Sequence, residues 1–163
     1  MRRRALLSTL GTGALAGCGF ELRRAPELHF RTIALAGFAP RSPLADELKQ
    51  NINASRTTLV IDSAAQAQVV FEALADTRER SVVASTSAGQ VRELQLRARL
   101  HFKLRTPGGR ELIPPTEILL SRDMSYSETV ALAKEQEETF LFRAMQSDIV
   151  AQVMRRLAAV PAV

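Results

Sequence analysis

The stretch ELQLRARLHFKLR, residues 93–105, alternates polar and apolar side chains without a break. Its apolar members are Leu94, Leu96, Ala98, Leu100, Phe102 and Leu104. A period of two places successive side chains on opposite faces of a β-strand. The stretch therefore predicts a long strand with one face on a hydrophobic core and the other face polar.

The segment after this strand predicts its hairpin partner. Residues 106–109 (TPGG) have the composition of a turn, and residues 110–126 return toward the start of the strand. Pro114 and Pro115 interrupt this second segment, and a proline cannot donate a hydrogen bond to a strand ladder. We therefore expect the two prolines at a sheet edge or in a bulge.

Three more segments on the N-terminal side are typical of strands. Residues 28–38 form an apolar stretch that ends at Gly37, and residues 57–62 (TTLVID) form a β-branched run. Residues 68–80 continue as another run with Val69, Val70 and Phe71 near its start.

Helical spacing appears in two places. The first helix follows Ser42 and Pro43, a favourable N-cap and first helical residue, and ends near Asn53. The second begins near Thr129 and is stopped by Pro161. It carries one apolar stripe, formed by Phe142, Met145, Ile149, Val153 and Leu157.

Length and composition complete the fold prediction. The chain has 163 residues, of which 46% are hydrophobic and 24% charged, the balance of one ordinary globular domain. We predict an α+β fold, with a mostly antiparallel sheet of about four strands and two helices packed on it. This single domain spans residues 28–160.

The N-terminus has the pattern of a bacterial lipoprotein signal. Arg2, Arg3 and Arg4 precede a short apolar stretch that ends in the sequence Leu-Ala-Gly-Cys18. We expect residues 1–17 to be removed, Cys18 to be lipidated and residues 18–27 to form a tether. A buried free cysteine after an ordinary signal peptide is the alternative.

Removing residues 1–17 lowers the formal net charge from +5 to +2, so bulk charge does not favour nucleic acid.

Motifs of catalysis are missing from the sequence. The two histidines, His29 and His101, have no partners at metal-ligand spacing, and neither a phosphate-binding glycine loop nor a nucleophile elbow is present. Glu137 and Glu138 are adjacent, and we interpret them as a solvated helix face. Asp123 beside Arg122 indicates a surface pairing. We therefore predict no enzyme, no metal and no cofactor.

Positive charge is concentrated along the alternating strand. Between residues 78 and 110 there are eight lysines and arginines but two acidic residues. Arg97, Arg99, Lys103 and Arg105 share one face of the strand and could meet several phosphates. A solvated outer sheet face is the alternative. With one tyrosine and no tryptophan, nucleic acid is disfavoured, and an anionic lipid head group is the better partner.

Three segments together resemble the LptE family of LPS-assembly lipoproteins of Gram-negative bacteria. They are CGFELR at residues 18–23, LIPP at 112–115 leading to Tyr126, and ALAKE at 131–135 running into DIV at 148–150 and RRL at 155–157. The resemblance implies a lipoprotein anchored by Cys18 on the periplasmic side of the cell outer membrane. It also implies a one-to-one complex in which the chain plugs the β-barrel LptD, helps it assemble and binds lipopolysaccharide during delivery to the cell surface.

The resemblance also implies which side chains contact lipopolysaccharide. Lys134 matches a basic position of the family, and Arg122 falls in the matching strand. Arg92 lies just beyond the position near residues 89–90 where the family has a further arginine and this chain has Ser87. The candidates on the basic strand face are Arg97, Arg99 and Lys103.

Two other classes of function stay open. An independent periplasmic lipid-binding carrier would need a deep apolar cavity for acyl chains. A lipoprotein hydrolase would need a paired nucleophile and base, which the sequence does not offer.

Overall fold

The structure, a computed structural model, describes residues 27–162. Its strands are β1 (Thr32–Ala36), β2 (Leu59–Val60), β3 (Val69–Ser85), β4 (Val91–Arg105) and β5 (Glu111–Ser125). Its helices are α1 (Pro43–Ala54) and α2 (Ala131–Ala158), the second preceded by a short 3-10 helix (Glu128–Val130). The predicted α+β fold, with two helices packed on one sheet, is confirmed.

The strands form one mixed sheet in the order β2-β1-β3-β4-β5. β3, β4 and β5 are antiparallel neighbours, whereas β1 pairs in parallel with both β2 and β3. The sheet has five strands rather than about four, because the run at residues 57–62 contributes a two-residue edge strand. A parallel β1–β3 pair needs a crossover connection, and α1 supplies it.

Both helices cover the same sheet face. The apolar residues of α1 (Leu44, Leu48 and Ile52) and those of α2 (Met145, Ile149, Val153 and Leu157) join one core with the even-numbered residues of β4. Phe71 and Phe102 stack at its centre with ring centroids 4.8 Å apart, and both are fully buried. The predicted stripe of the second helix is confirmed, with Phe142 half-buried at its margin.

Polar contacts fix the helices to each other and to the sheet. The Ser42 hydroxyl caps α1 by accepting a hydrogen bond from the Ala45 N–H at 3.2 Å, and it donates to Asp76 Oδ2 of β3 at 2.8 Å. Gln146 Nε2 of α2 donates to the Pro43 carbonyl at 3.1 Å, and the Ser147 hydroxyl donates to Glu47 Oε1 at 2.7 Å. These contacts join the two helices to each other and to the core face of the sheet.

The two prolines occupy a bulge on the edge strand, as predicted. The β4–β5 register shifts between the pairs Phe102–Thr116 and Leu104–Ile113, and Pro114 and Pro115 fall within that shift. β5 is the outer strand of the sheet, so the missing N–H groups cost no ladder hydrogen bond to a further strand.

The sheet is long and has two distinct ends. β4 has 15 residues and extends about 50 Å at roughly 3.4 Å per residue. At the proximal end lie the starts of β1 and β3 together with the ends of β4 and α2. The distal end holds the β3–β4 turn at residues 86–90 and the start of α2. In the described part of the chain, no helix is both long and apolar enough to cross a membrane.

Candidate functional site

The structure divides the six predicted lipopolysaccharide contacts between the two faces of the sheet. Arg97, Arg99 and Lys103 lie on the open face, which we define as the side of β3, β4 and β5 away from the helices. Arg122 pairs in register with the buried Leu96 and therefore lies on the helix side. Lys134 is on α2, and Arg92 is an exposed residue near the start of β4, where the β3–β4 register shifts between the pairs Ala84–Glu93 and Ser85–Val91.

The basic side chains of the open face are interleaved with carboxylates from the flanking strands. Arg99 forms salt bridges with Glu79 of β3 at 3.3 Å and with Glu117 of β5 at 3.9 Å. Lys103 lies 3.5 Å from Glu72 Oε2, and Arg105 Nε donates to the same oxygen at 3.0 Å. The face is therefore close to electrically balanced, a property that the sequence of β4 alone does not reveal.

Glu72 is the focus of this balance. The hydrogen bond from Arg105, followed by the positive charge of Lys103, holds the pKa of the Glu72 carboxyl below its usual 4.5, although partial burial opposes the shift. The carboxylate is thus ionised at neutral pH and keeps two of the basic side chains in place. Both of these cations are committed to a protein partner.

Arg97 is the exception on the open face. Its Nε donates to Gln95 Oε1 at 2.8 Å, and within residues 27–162 it forms no salt bridge. With Arg99, Thr77, Glu79 and Leu119 it lines a shallow depression of about 90 Å³. Its terminal N–H groups can therefore donate hydrogen bonds to an anionic group placed in that depression.

The other three candidates lie toward the distal half of the sheet. Lys134 Nζ donates to Ser125 Oγ at 3.0 Å and to Glu137 Oε2 at 2.8 Å, so α2 is joined to the end of β5. Arg122 lies 3.7 Å from Asp148, a long contact between two side chains that are each more than half exposed. Arg92 is exposed and has no salt bridge in the part of the chain that the structure describes.

One predicted detail is wrong, and a second holds for Glu137, which is exposed, but not for Glu138, which is half-buried. Arg122 does not pair with Asp123, since successive residues of a strand point to opposite faces and Asp123 instead accepts a hydrogen bond from Gln95 Nε2 at 3.0 Å. Glu137 binds Lys134, and Glu138 forms a 3.2 Å salt bridge with Arg80 of β3. The period of two could have predicted the first of these. The second depends on how α2 lies across β3, which no local pattern encodes.

The predicted lipidation site, Cys18, the signal segment 1–17 and the first nine residues of the tether lie outside the described residues.

The architecture is that of known bacterial lipoproteins. An uncharacterized lipoprotein B from Nitrosomonas europaea, solved by NMR, superposes with a TM-score of 0.72 at 29% identity, covering 86% of this chain and 91% of that one. The rare lipoprotein B from Shewanella oneidensis shares the fold, with a TM-score of 0.66 at 22% identity over 79% of this chain and 95% of that one. The class of protein is therefore an α+β domain of the type found in these two lipoproteins.

Sequence comparison identifies the family. The family model described as "LptE: Lipopolysaccharide-assembly" matches residues 30–157, which include all five strands and nearly all of α2. An LPS-assembly lipoprotein LptE from Pectobacterium atrosepticum is 27% identical over 96% of this chain and 86% of its own length. One from Yersinia enterocolitica is 28% identical over 99% of this chain and 79% of its own length. The chain belongs to the LptE family of lipopolysaccharide-assembly lipoproteins.

Proposed function

We propose that this protein is an outer-membrane lipoprotein, anchored through Cys18, that plugs the β-barrel LptD in a one-to-one complex and helps it assemble. In that complex it binds lipopolysaccharide on its way to the cell surface. The membership of residues 30–157 in a lipopolysaccharide-assembly family supports the general role. The length of the sheet and the separation of its two ends support the plug.

The separation of the two ends is the observation that carries the proposal. The described chain starts at the proximal end, where the tether from Cys18 would arrive, and Lys134 and Arg92 lie at the distal end. The sheet between them extends about 50 Å, and a bilayer with its head groups is about 40–45 Å thick. A domain tethered at the inner leaflet can therefore carry its distal cations across the membrane inside a barrel.

The surface of the domain suits a water-lined lumen. The interior of a large membrane barrel is polar, and a plug must present polar groups on more than one side. The open face does so through the paired charges of β3, β4 and β5, and α2 does so through an outer row that includes Glu135, Gln136 and Arg143. Leu119 and Leu132, which are 52% and 72% exposed, add apolar contact points on these two sides.

Arg92, Arg97 and Arg122 are proposed as lipopolysaccharide contacts because their interactions within the described domain are weak, and Lys134 is proposed because it matches a basic position of the family. Exposed salt bridges contribute about 0–1 kcal/mol, so the Arg122–Asp148 contact yields readily to a phosphate. Arg92 and Arg97 form no salt bridge within residues 27–162 that lipopolysaccharide would have to displace. Lys134 is 82% buried along its side chain but keeps its ammonium group aimed at the Ser125–Glu137 surface. Arg99 and Lys103 are secondary candidates, because Glu72, Glu79 and Glu117 already neutralise them.

The alternative of an independent lipid carrier has less support. Between the sheet and the helices of the described domain, the space is filled by fully buried side chains such as Phe71, Leu100 and Met145. The gap beside Gln146 and Asp76 measures about 10 Å³, which is enough for a single water molecule. An acyl chain could enter this core only by forcing the helices off the sheet.

Lipopolysaccharide binding tests the site. Substituting Arg92, Arg122 and Lys134 together by glutamine should weaken binding at least tenfold, since a lost charge-assisted contact costs about 1.5 kcal/mol or more. The matched variant removes the same number of charges, with Arg99, Lys103 and Arg105 changed to glutamine, and should lose less than threefold. Equal losses in the two variants would contradict the assignment of the distal cations.

Affinity purification of the lipidated protein in mild detergent should recover a large β-barrel in equal amount, and recovery of the protein alone with bound lipid would favour the carrier.

A further inference from the structure

We propose that the proximal end of the domain is a binding surface for the anionic head groups of the bilayer to which the chain is tethered. The surface is formed by four exposed arginines: Arg31, Arg56, Arg110 and Arg155. It is separate from Arg92 and Lys134, the proposed lipopolysaccharide contacts at the distal end of the sheet. The inference rests on the proposed anchoring at Cys18, because the tether brings this end to the membrane.

Four different elements bring these arginines to one end. Arg31 precedes β1, and its N–H donates to Gln68 Oε1, just before β3. Arg56 follows α1 and neighbours Thr57, whose hydroxyl accepts a hydrogen bond from the Leu28 N–H at 3.4 Å.

The β4–β5 turn and the end of α2 complete the surface. Arg110 closes the turn, and its N–H donates to Thr106 Oγ1 at 3.1 Å. The turn follows Arg105, which pairs in register with Val70 at the start of β3, so Arg110 lies at the proximal end. Arg155 lies in the last turn of α2, next to Arg156, whose guanidinium lies 5.9 Å from the ring centroid of Phe102 near the end of β4.

The charge of this surface is not neutralised by the described domain. None of the four arginines forms a salt bridge within residues 27–162, and the exposed carboxylates that accompany them are Glu27 and Glu111. This is the reverse of the open face, where Arg99, Lys103 and Arg105 are each paired. Arg155 also complements the negative end of the α2 dipole, but a helix-end interaction leaves its guanidinium in solvent.

A groove in the surface has the size of a head group. It has a volume of about 430 Å³ and is lined by Leu28, His29, Phe30, Arg31, Thr57 and Gln68. Arg31 and His29 are exposed at its rim, and Gln68 and Thr57 add hydrogen-bonding groups. Phosphate and glycerol oxygens of a phospholipid would find both a cation and neutral partners there.

The tether makes a membrane the favoured occupant. Nine residues after Cys18 the described domain begins at Glu27, and a fully extended chain of that length reaches about 30 Å. Such a short link holds the proximal end near the bilayer surface and turns head-group binding into an intramolecular step at high effective concentration. The attraction of each arginine to an anionic surface then fixes the orientation of the domain relative to the membrane.

Vesicle binding of the unacylated mature chain tests this surface without help from the anchor. The chain from residue 18 with Cys18→Ser is suitable, because the whole hydrophobic core lies between Leu28 and Val160. We expect it to co-sediment with vesicles of equal parts phosphatidylglycerol and phosphatidylcholine, and not with pure phosphatidylcholine. Binding should be lost at high salt, because exposed charges are screened.

Two double variants separate this surface from the proposed lipopolysaccharide site. Arg31→Gln with Arg155→Gln should weaken vesicle binding about 25-fold, at about fivefold per arginine, and leave lipopolysaccharide binding unchanged. Arg92→Gln with Arg122→Gln removes the same charge and should do the opposite. In strand positions, Arg92 lies roughly 45 Å and the partner of Arg122, Leu96, roughly 30 Å from Arg105 at the proximal end of β4.

Three results would overturn the inference: no binding of the parent chain to phosphatidylglycerol vesicles, equal binding to the neutral vesicles, or equal losses in the two double variants. A failure of lipopolysaccharide binding in the parent chain would instead count against the proposed function. Both double variants change exposed side chains, so an unchanged circular dichroism melt verifies that the fold is intact.

Discussion

Truncating Phe102 to alanine should remove much of the stability of the domain. The ring is fully buried, stacks on Phe71 at 4.8 Å and lies 5.9 Å from the Arg156 guanidinium, so its loss leaves a cavity where β3, β4 and α2 meet. A buried Phe→Ala substitution costs about 3–5 kcal/mol, and the lost stacking places this one near the upper end, at about 4–5 kcal/mol. A domain of this size has a total stability of about 5–15 kcal/mol.

Urea unfolding of the mature chain with Cys18→Ser, followed by far-UV circular dichroism, measures the effect. With a slope of about 2 kcal/mol per molar urea, the midpoint should fall by about 2 M. Phe140→Ala is the matched control, because that ring is 68% exposed and its removal should change stability by less than about 0.5 kcal/mol. A cost below about 1.5 kcal/mol for Phe102→Ala, or equal costs for the two variants, would refute the packing described here.

Three further outcomes follow from single contacts. Lys134→Gln should weaken lipopolysaccharide binding about tenfold. Lys49→Gln, on the exposed side of α1, should leave binding unchanged, and equal binding by the two variants would show that Lys134 is not part of the site. Because the pKa of Glu72 is lowered in the folded state, its contribution to stability is present at neutral pH and is lost as the pH falls below 4.5. Glu72→Gln should therefore flatten the acid side of a plot of unfolding free energy against pH. An unchanged acid side would contradict the role of this carboxylate. Gly37→Ala would place a Cβ 2.1 Å from the Ala73 carbonyl oxygen at a φ of +80°, and should lower the free energy of unfolding in urea by more than about 3 kcal/mol. Gly109→Ala, at a φ of +92° with open space around it, should lower it by about 1 kcal/mol. Similar losses in the two variants would show that the backbone moves to relieve the close approach at Gly37.

Local periodicity predicted the elements that bury one face. The alternation at residues 93–105 became β4, and the stripe from Met145 to Leu157 became the buried side of α2, because burial on one side imposes the period of the element on its sequence. Ser42 and Pro43 likewise predicted the start of α1, where capping is a local interaction.

Local periodicity could not predict features that depend on which strands pair with each other. The parallel pairing of β1 with β3 depends on a crossover, and nothing within residues 32–36 specifies it. The balance of the open face depends on Glu72, Glu79 and Glu117, which come from the strands on either side of β4. A charge count along one strand predicted a basic surface because it could not include its neighbours.

The plug can be tested most directly by site-specific photo-crosslinking in intact outer membranes. A photoreactive residue at Leu119 probes the open face, and one at Leu132 probes the outer side of α2; both positions are exposed. A domain enclosed by a barrel contacts it on both sides, so both positions should crosslink to the same large β-barrel protein. Crosslinking from one position alone, or from neither, would contradict the enclosure of this domain in a barrel.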